Sequence, residues 1–107
     1  MHIKKKLSII FEDDNIIVVN KSCNLLSHCN NHENKESVVS LLNSAGIKLF
    51  EAEDPLRNGI VHRLDKDTTG LMVLAKNAVS YKNIALQFKN RKVLKIYKAY
   101  CWGVPMP

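Results

Sequence analysis

No aspartate or glutamate occurs after Asp67, so the last 40 residues of this 107-residue chain carry 7 of its 16 Lys and Arg residues and none of its 10 acidic ones. The whole net charge of +6 comes from that half. A one-signed segment suits a polyanion such as RNA; a generic solvated surface is the plain alternative. A long apolar run is lacking too. The basic start Met1-His2-Ile3-Lys4-Lys5-Lys6 is followed by apolar residues only as far as Phe11. That is too short for a signal sequence, and no stretch is long enough to cross a membrane. The cysteine count is odd (Cys23, Cys29, Cys101), which argues against a secreted disulfide framework and for reduced thiols in a cytoplasmic protein. Internal repeats and low-complexity tracts are absent. The length allows one small domain with a modest core, not two.

Ordinary elements fill much of the chain. Leu7 to Phe11 reads as a strand, Glu12 to Asn15 as a turn whose Asp and Asn side chains bond their own backbone, and Ile16 to Val19 as a central strand covered on both faces. Lys21 to Lys35 reads as a polar loop. Cys23, His28, Cys29 and His32 within it raise a zinc site, but adjacent His28 and Cys29 fit one tetrahedral centre badly, so no metal is expected. Ser37 should N-cap a helix over Val38 to Ala45, closed by Gly46, with Val38, Leu41, Leu42 and Ala45 as its core stripe. Ile47 to Asn58 is a connector broken at Pro55. Leu71 to Ala75 reads as a strand. Asn77 should cap a helix to about Asn90, with Tyr81, Ile84, Ala85 and Phe88 facing the sheet. Arg91 and Lys92 at its end suit either the helix dipole or a phosphate. Val93 to Trp102 is rich in strand formers. The fold class expected is α+β, with a mixed, mostly antiparallel sheet and two packed helices.

One segment stands apart, Gly59-Ile60-Val61-His62-Arg63-Leu64-Asp65-Lys66-Asp67-Thr68-Thr69-Gly70. Seven of the eight residues from His62 to Thr69 are polar or charged, between two apolar runs. Such a turn displays its side chains, and Leu64 should anchor it in the core. Asp65 lies between Arg63 and Lys66, cations that favour its ionised form. An ionised, held carboxylate can be a nucleophile, a base or an electrostatic stabiliser; a solvated turn is the other reading.

HRLDKDTTG resembles the HRLD-K-D-T/S-G signature of the RluA-type family of RNA pseudouridine synthases. FEDDNIIVVNK (Phe11 to Lys21), the Leu25, Leu26 and His28 that follow, GLMVLAKN (Gly70 to Asn77) and FKNRKVLKIYKAYCWG (Phe88 to Gly103) resemble other family segments in the same order. Ser22 and Asn24 stand where the family usually has Pro and Gly. The resemblance implies that Asp65 is catalytic and that Tyr97 is an active-site residue able to stack on uracil. It also implies an RNA substrate (rRNA or tRNA) with neither metal nor cofactor. Arg63 then holds a phosphate or fills the gap left by a flipped nucleotide. Lys66, Lys89, Arg91, Lys92 and Lys95 are candidate backbone contacts, and Asp67 is the structural carboxylate. Nothing resembles the family's later "GR-x-H-Q-I/L-R" block. Residues 1–107 therefore read as the N-terminal portion of the catalytic domain, with little activity expected alone and a complementary C-terminal chain as a possible partner. A non-catalytic RNA-binding module is the rival, supported by Tyr97, Tyr100 and Trp102 among lysines.

Overall fold

A computed structural model of the chain describes residues 2–3, 6–28, 36–64 and 66–91. Four strands, β1 (His2–Ile3), β2 (Leu7–Glu12), β3 (Ile16–Lys21) and β4 (Gly70–Ala75), form one sheet in the order β1-β2-β3-β4. All three pairings are antiparallel. The parallel component is confined to an isolated bridge, Leu26 to Ser37. Two helices, α1 (Val38–Ser44) and α2 (Ala78–Lys89), and a short 3-10 turn at Pro55–Arg57 complete the described elements. The α+β class expected from the sequence is the class observed.

The period-two pattern of β3 decides which face is core. Ile17, Val19 and Lys21 point inward and are fully buried, whereas Ile16 and Val18 are half-buried and Asn20 is exposed. The strand is central, as expected, but covered fully on one face only. Leu7, Met72 and Leu74 from the flanking strands join the inner layer, and Val38, Val39, Leu41 and Leu42 of α1 pack against it with Leu25, Leu49 and Leu64. Burying side chains of this size stabilises the fold by roughly 1.5–3 kcal/mol each. On the outer face the register aligns Phe11 with Val18 and Val18 with Val73. Phe11 and Leu71 on that face remain exposed. A bulge between Ile9 and Phe11 leaves Ile10 as the extra residue, turned to solvent.

Helix α1 starts where its capping chemistry dictates. The Ser37 hydroxyl accepts the Ser40 N–H at 3.0 Å, and the Ser40 hydroxyl accepts the Ser37 N–H at 2.7 Å, a reciprocal box. The helix stops one residue sooner than the sequence implies. Ala45 is its C-cap and is exposed, so the expected stripe loses its last member, while Gly46 at φ +80° makes the left-handed exit.

The β2–β3 turn also founds α2. The Asp13 carboxylate accepts the N–H groups of Asn15 and Ile16, both at 2.8 Å. Lys76 reaches Glu12 at 2.6 Å and the Asp13 carbonyl at 2.8 Å, and Asn77, the N-cap of α2, donates to Asn15 and Asp14. The stripe of Tyr81, Ile84, Ala85 and Phe88 is half-buried rather than buried. Two of its members make ring stacks, Tyr81 on Phe50 of the connector with centroids 4.5 Å apart and Phe88 on His62 of the polar turn at 4.6 Å. The expected strand over Val93 to Trp102 lies outside the described residues.

Ahead of the polar turn the backbone passes a tight crossing. The Gly59 N–H donates to Phe50, the Gly59 carbonyl accepts from Ala75, and the Phe50 N–H donates to Ala75. Gly59 holds φ +72°, and a Cβ on it would lie 2.8 Å from the Ala75 carbonyl oxygen. Both strain and collision therefore oppose any side chain. Gly59→Ala should lower unfolding free energy by about 2–4 kcal/mol in urea titration. The two backbone bonds from Ile16 and Asn15 hold the Asp13 carboxyl below its ordinary value of 3.8. A carboxyl lowered by folding contributes stability above that ordinary value and loses it as pH falls through the folded value. Asp13→Asn should therefore flatten the acid limb of the stability–pH curve below about pH 4, measured by thermal unfolding across pH.

Candidate active site

The polar turn between the Gly59 crossing and β4 has no strand or helix of its own, so its shape is set by what grips it. On the entering side, Ile60 bridges Leu74 antiparallel. The His62 imidazole Nε2 accepts the Val73 N–H at 3.2 Å while the ring stacks on Phe88. An Nε2 that accepts must be unprotonated, which places any proton of the neutral ring on Nδ1. Leu64 is buried in the core, as its apolar character in a polar turn implied.

The other grips come from the end of β3 and the loop following it. The Ser27 hydroxyl donates to the Leu64 carbonyl at 2.8 Å and accepts the Leu64 N–H at 3.0 Å. The Lys21 ammonium, 1% exposed, donates to the carbonyls of Ser22 at 3.0 Å, Leu25 at 2.7 Å and Lys66 at 3.0 Å. The Cys23 thiol lies 3.5 Å from the Asp67 carbonyl. Residues 64, 66 and 67 are thus held by side chains from the last residue of β3 and the short loop after it. Asp65, between the gripped residues, lies outside the described ones, as do Tyr97, Lys92 and Lys95.

The remaining expected site residues fall into one neighbourhood. Arg63 and Lys66 are exposed on the turn. Lys89 ends α2 and Arg91 follows its C-cap, both exposed. Because Phe88 stacks on His62, the end of α2 carrying Lys89 and Arg91 lies against the residue preceding Arg63. Asp67 is exposed, and its main-chain oxygen, not its carboxylate, makes the hydrogen bond found among the described residues. Arg91 takes φ +56°, its N–H closing the helix on the Phe88 carbonyl. Among the described residues no group of three or more His, Cys, Asp and Glu is placed to hold a metal ion, and no helix is long and apolar enough to cross a membrane.

Two residues of this site escape sequence reading. Lys21 reads as the first residue of a polar loop, yet it ends β3 in register with Ile17 and Val19, and that period-two position is the signal of its burial. Ser27 carries no signal of its own. Asn24 sits at φ +64°, a conformation glycine takes without strain and asparagine tolerates.

Both the sequence and the fold have known relatives. The sequence matches the family model described as RNA pseudouridylate synthase over residues 15–105, and the chain belongs to that family. It is 42% identical over 97 residues to the ribosomal large subunit pseudouridine synthase D of Buchnera aphidicola subsp. Baizongia pistaciae, covering 91% of this chain and 30% of the relative. To the protein of the same name in Borreliella burgdorferi it is 40% identical over 99 residues, again 91% of this chain and 30% of the relative. The fold is similar to that of human RNA Pseudouridylate Synthase Domain Containing 4, with TM-score 0.57 and 24% identity over 84% of this chain and 31% of that one. The chain thus spans about 30% of the length of the relatives it matches.

Removing the Lys21 ammonium would leave the buried Leu25 carbonyl and the part-buried Ser22 and Lys66 carbonyls short of a donor, and an orphaned buried group costs about 1–3 kcal/mol. Lys21→Met should lower unfolding free energy by about 2–4 kcal/mol, read by urea titration.

Proposed function

We propose that this chain supplies the aspartate-bearing turn of an RNA pseudouridine synthase, with Asp65 as the catalytic carboxylate. The observation that carries this reading is the grip on residues 64, 66 and 67 by buried or polar groups at the end of β3 and in the loop after it, in a chain of the pseudouridylate synthase family. A catalytic group must be held rigidly, and this turn is held on both sides of position 65.

The reaction breaks the bond from ribose C1′ to uracil N1, turns the detached base and forms a bond from C1′ to C5. The C5 hydrogen leaves as a proton and N1 gains one, so no oxidant or water is consumed. The Asp65 carboxylate stabilises or captures the electron-poor centre formed at cleavage. Tyr97 stacks on the base, and Arg63 holds phosphate or the space of the extruded nucleotide. Lys66, Lys89, Arg91, Lys92 and Lys95 bind backbone phosphates, which gives affinity without choosing sequence. The substrate is rRNA or tRNA in the cytoplasm, and ribosomal RNA is favoured by the names of the relatives. Residues 1–107 act as the N-terminal portion of a catalytic domain, turning over RNA when further catalytic-domain residues, on this chain or a complementary one, complete the pocket.

The test is tritium release from RNA labelled at uracil C5, with the chain alone and together with the segment that relatives carry beyond the matched region. Release by the completed wild type, and a loss of at least about 1,000-fold in Asp65→Asn with RNA affinity unchanged, is expected. An RNA-binding module without chemistry would bind the same RNA and release nothing in either form.

A further inference from the structure

We propose that Ser27 is a positioning residue for the carboxylate at position 65, an inference that rests on the function proposed for that turn. Ser27 is 4% exposed, and both of its strong hydrogen bonds go to one residue, Leu64. Its single O–H proton is directed to the Leu64 carbonyl at 2.8 Å, with Met72 Sδ at 3.4 Å as a weaker second acceptor. Its lone pair takes the Leu64 N–H. One hydroxyl thereby does for Leu64 what a neighbouring strand does with a carbonyl and an amide.

The consequence follows from peptide planarity. The Leu64 carbonyl and the nitrogen of residue 65 belong to one rigid plane. Fixing the oxygen at 2.8 Å therefore restrains the plane through which the chain enters residue 65. The Lys21 bond to the Lys66 carbonyl holds the chain one residue after it. The hydroxyl is itself firmly mounted. The Leu26 and Ser27 carbonyls accept the N–H groups of Val38 and Val39 at 2.8 and 3.3 Å, and Leu26 bridges Ser37. The start of α1, whose own side chains are in the core, thus braces the loop that braces the turn.

An alanine at 27 deletes both bonds and leaves the N–H and carbonyl of Leu64 without this partner in a buried place. Amide hydrogen exchange on the 107-residue chain reads this directly. In Ser27→Ala the Leu64 amide should exchange about 10-fold or more faster relative to Val19 in central β3, and Ser27→Thr, which keeps the hydroxyl, should restore the ratio. A purely structural serine would speed both amides by one factor. In the preparation that releases tritium, Ser27→Ala should lower kcat about 10- to 100-fold and leave KM within about twofold. An unchanged Leu64-to-Val19 ratio in Ser27→Ala, or an unchanged kcat, overturns the proposal. The Asp65→Asn variant separates this from the function it rests on. It should keep the slow Leu64 amide while losing turnover, so activity retained by Asp65→Asn removes the carboxylate's role, and the exchange ratio still decides whether Ser27 clamps the turn.

Discussion

A fully buried ammonium is the constraint on which this structure depends. An ionised group removed from water is tolerated only where its donors are all met. Lys21 has three donors, and three carbonyls meet them. Two of the acceptors are local, in the loop that follows β3, and the third is 45 residues away in the polar turn. Neither segment can reach its final conformation with the ammonium desolvated unless the other is in place. The folding of the loop and the shaping of the turn are one event.

The turn that results is irregular without being loose. Its inner side is tied to buried groups: Leu64 in the core, its peptide on the Ser27 hydroxyl, the Lys66 carbonyl on Lys21. Its outer side is free to meet a ligand, with Arg63, Lys66 and Asp67 exposed. The charges stay hydrated while the backbone beneath them is fixed by contacts that salt does not screen. The acid-poor second half of the sequence adds Lys89 and Arg91 at the same end of α2.

Much of this was legible in the residues, for reasons of period and capping. Short continuous apolar runs located β3 and β4, while Ser37 and Asn77 announced the helix starts because a short polar side chain before an apolar period has a backbone N–H to satisfy. Leu64 was legible as the lone apolar residue of a charged turn. The grips were not. A lysine reads as solvent-seeking, and only the register of β3 reveals that Lys21 lies beneath the sheet beside Val19. Ser27 pairs with a residue 37 positions later, and no local pattern encodes a contact of that span. The half-burial of the α2 stripe was also hidden, since period shows which side faces inward and not how much neighbour it meets.

Helix α2 touches the connector and the polar turn through one ring stack each, Tyr81 on Phe50 and Phe88 on His62. Seven residues of helix separate these pins, about 10 Å along its axis. A rod held at one point can swivel, and a rod held at two cannot. Phe50 lies beside the Gly59 crossing and His62 beside Arg63, so the second pin converts the helix into a strut between the fixed crossing and the exposed turn. Cations at its far end are thereby held at a set reach from the turn, like the jaw of a caliper, and the spacing between them is a property of the fold.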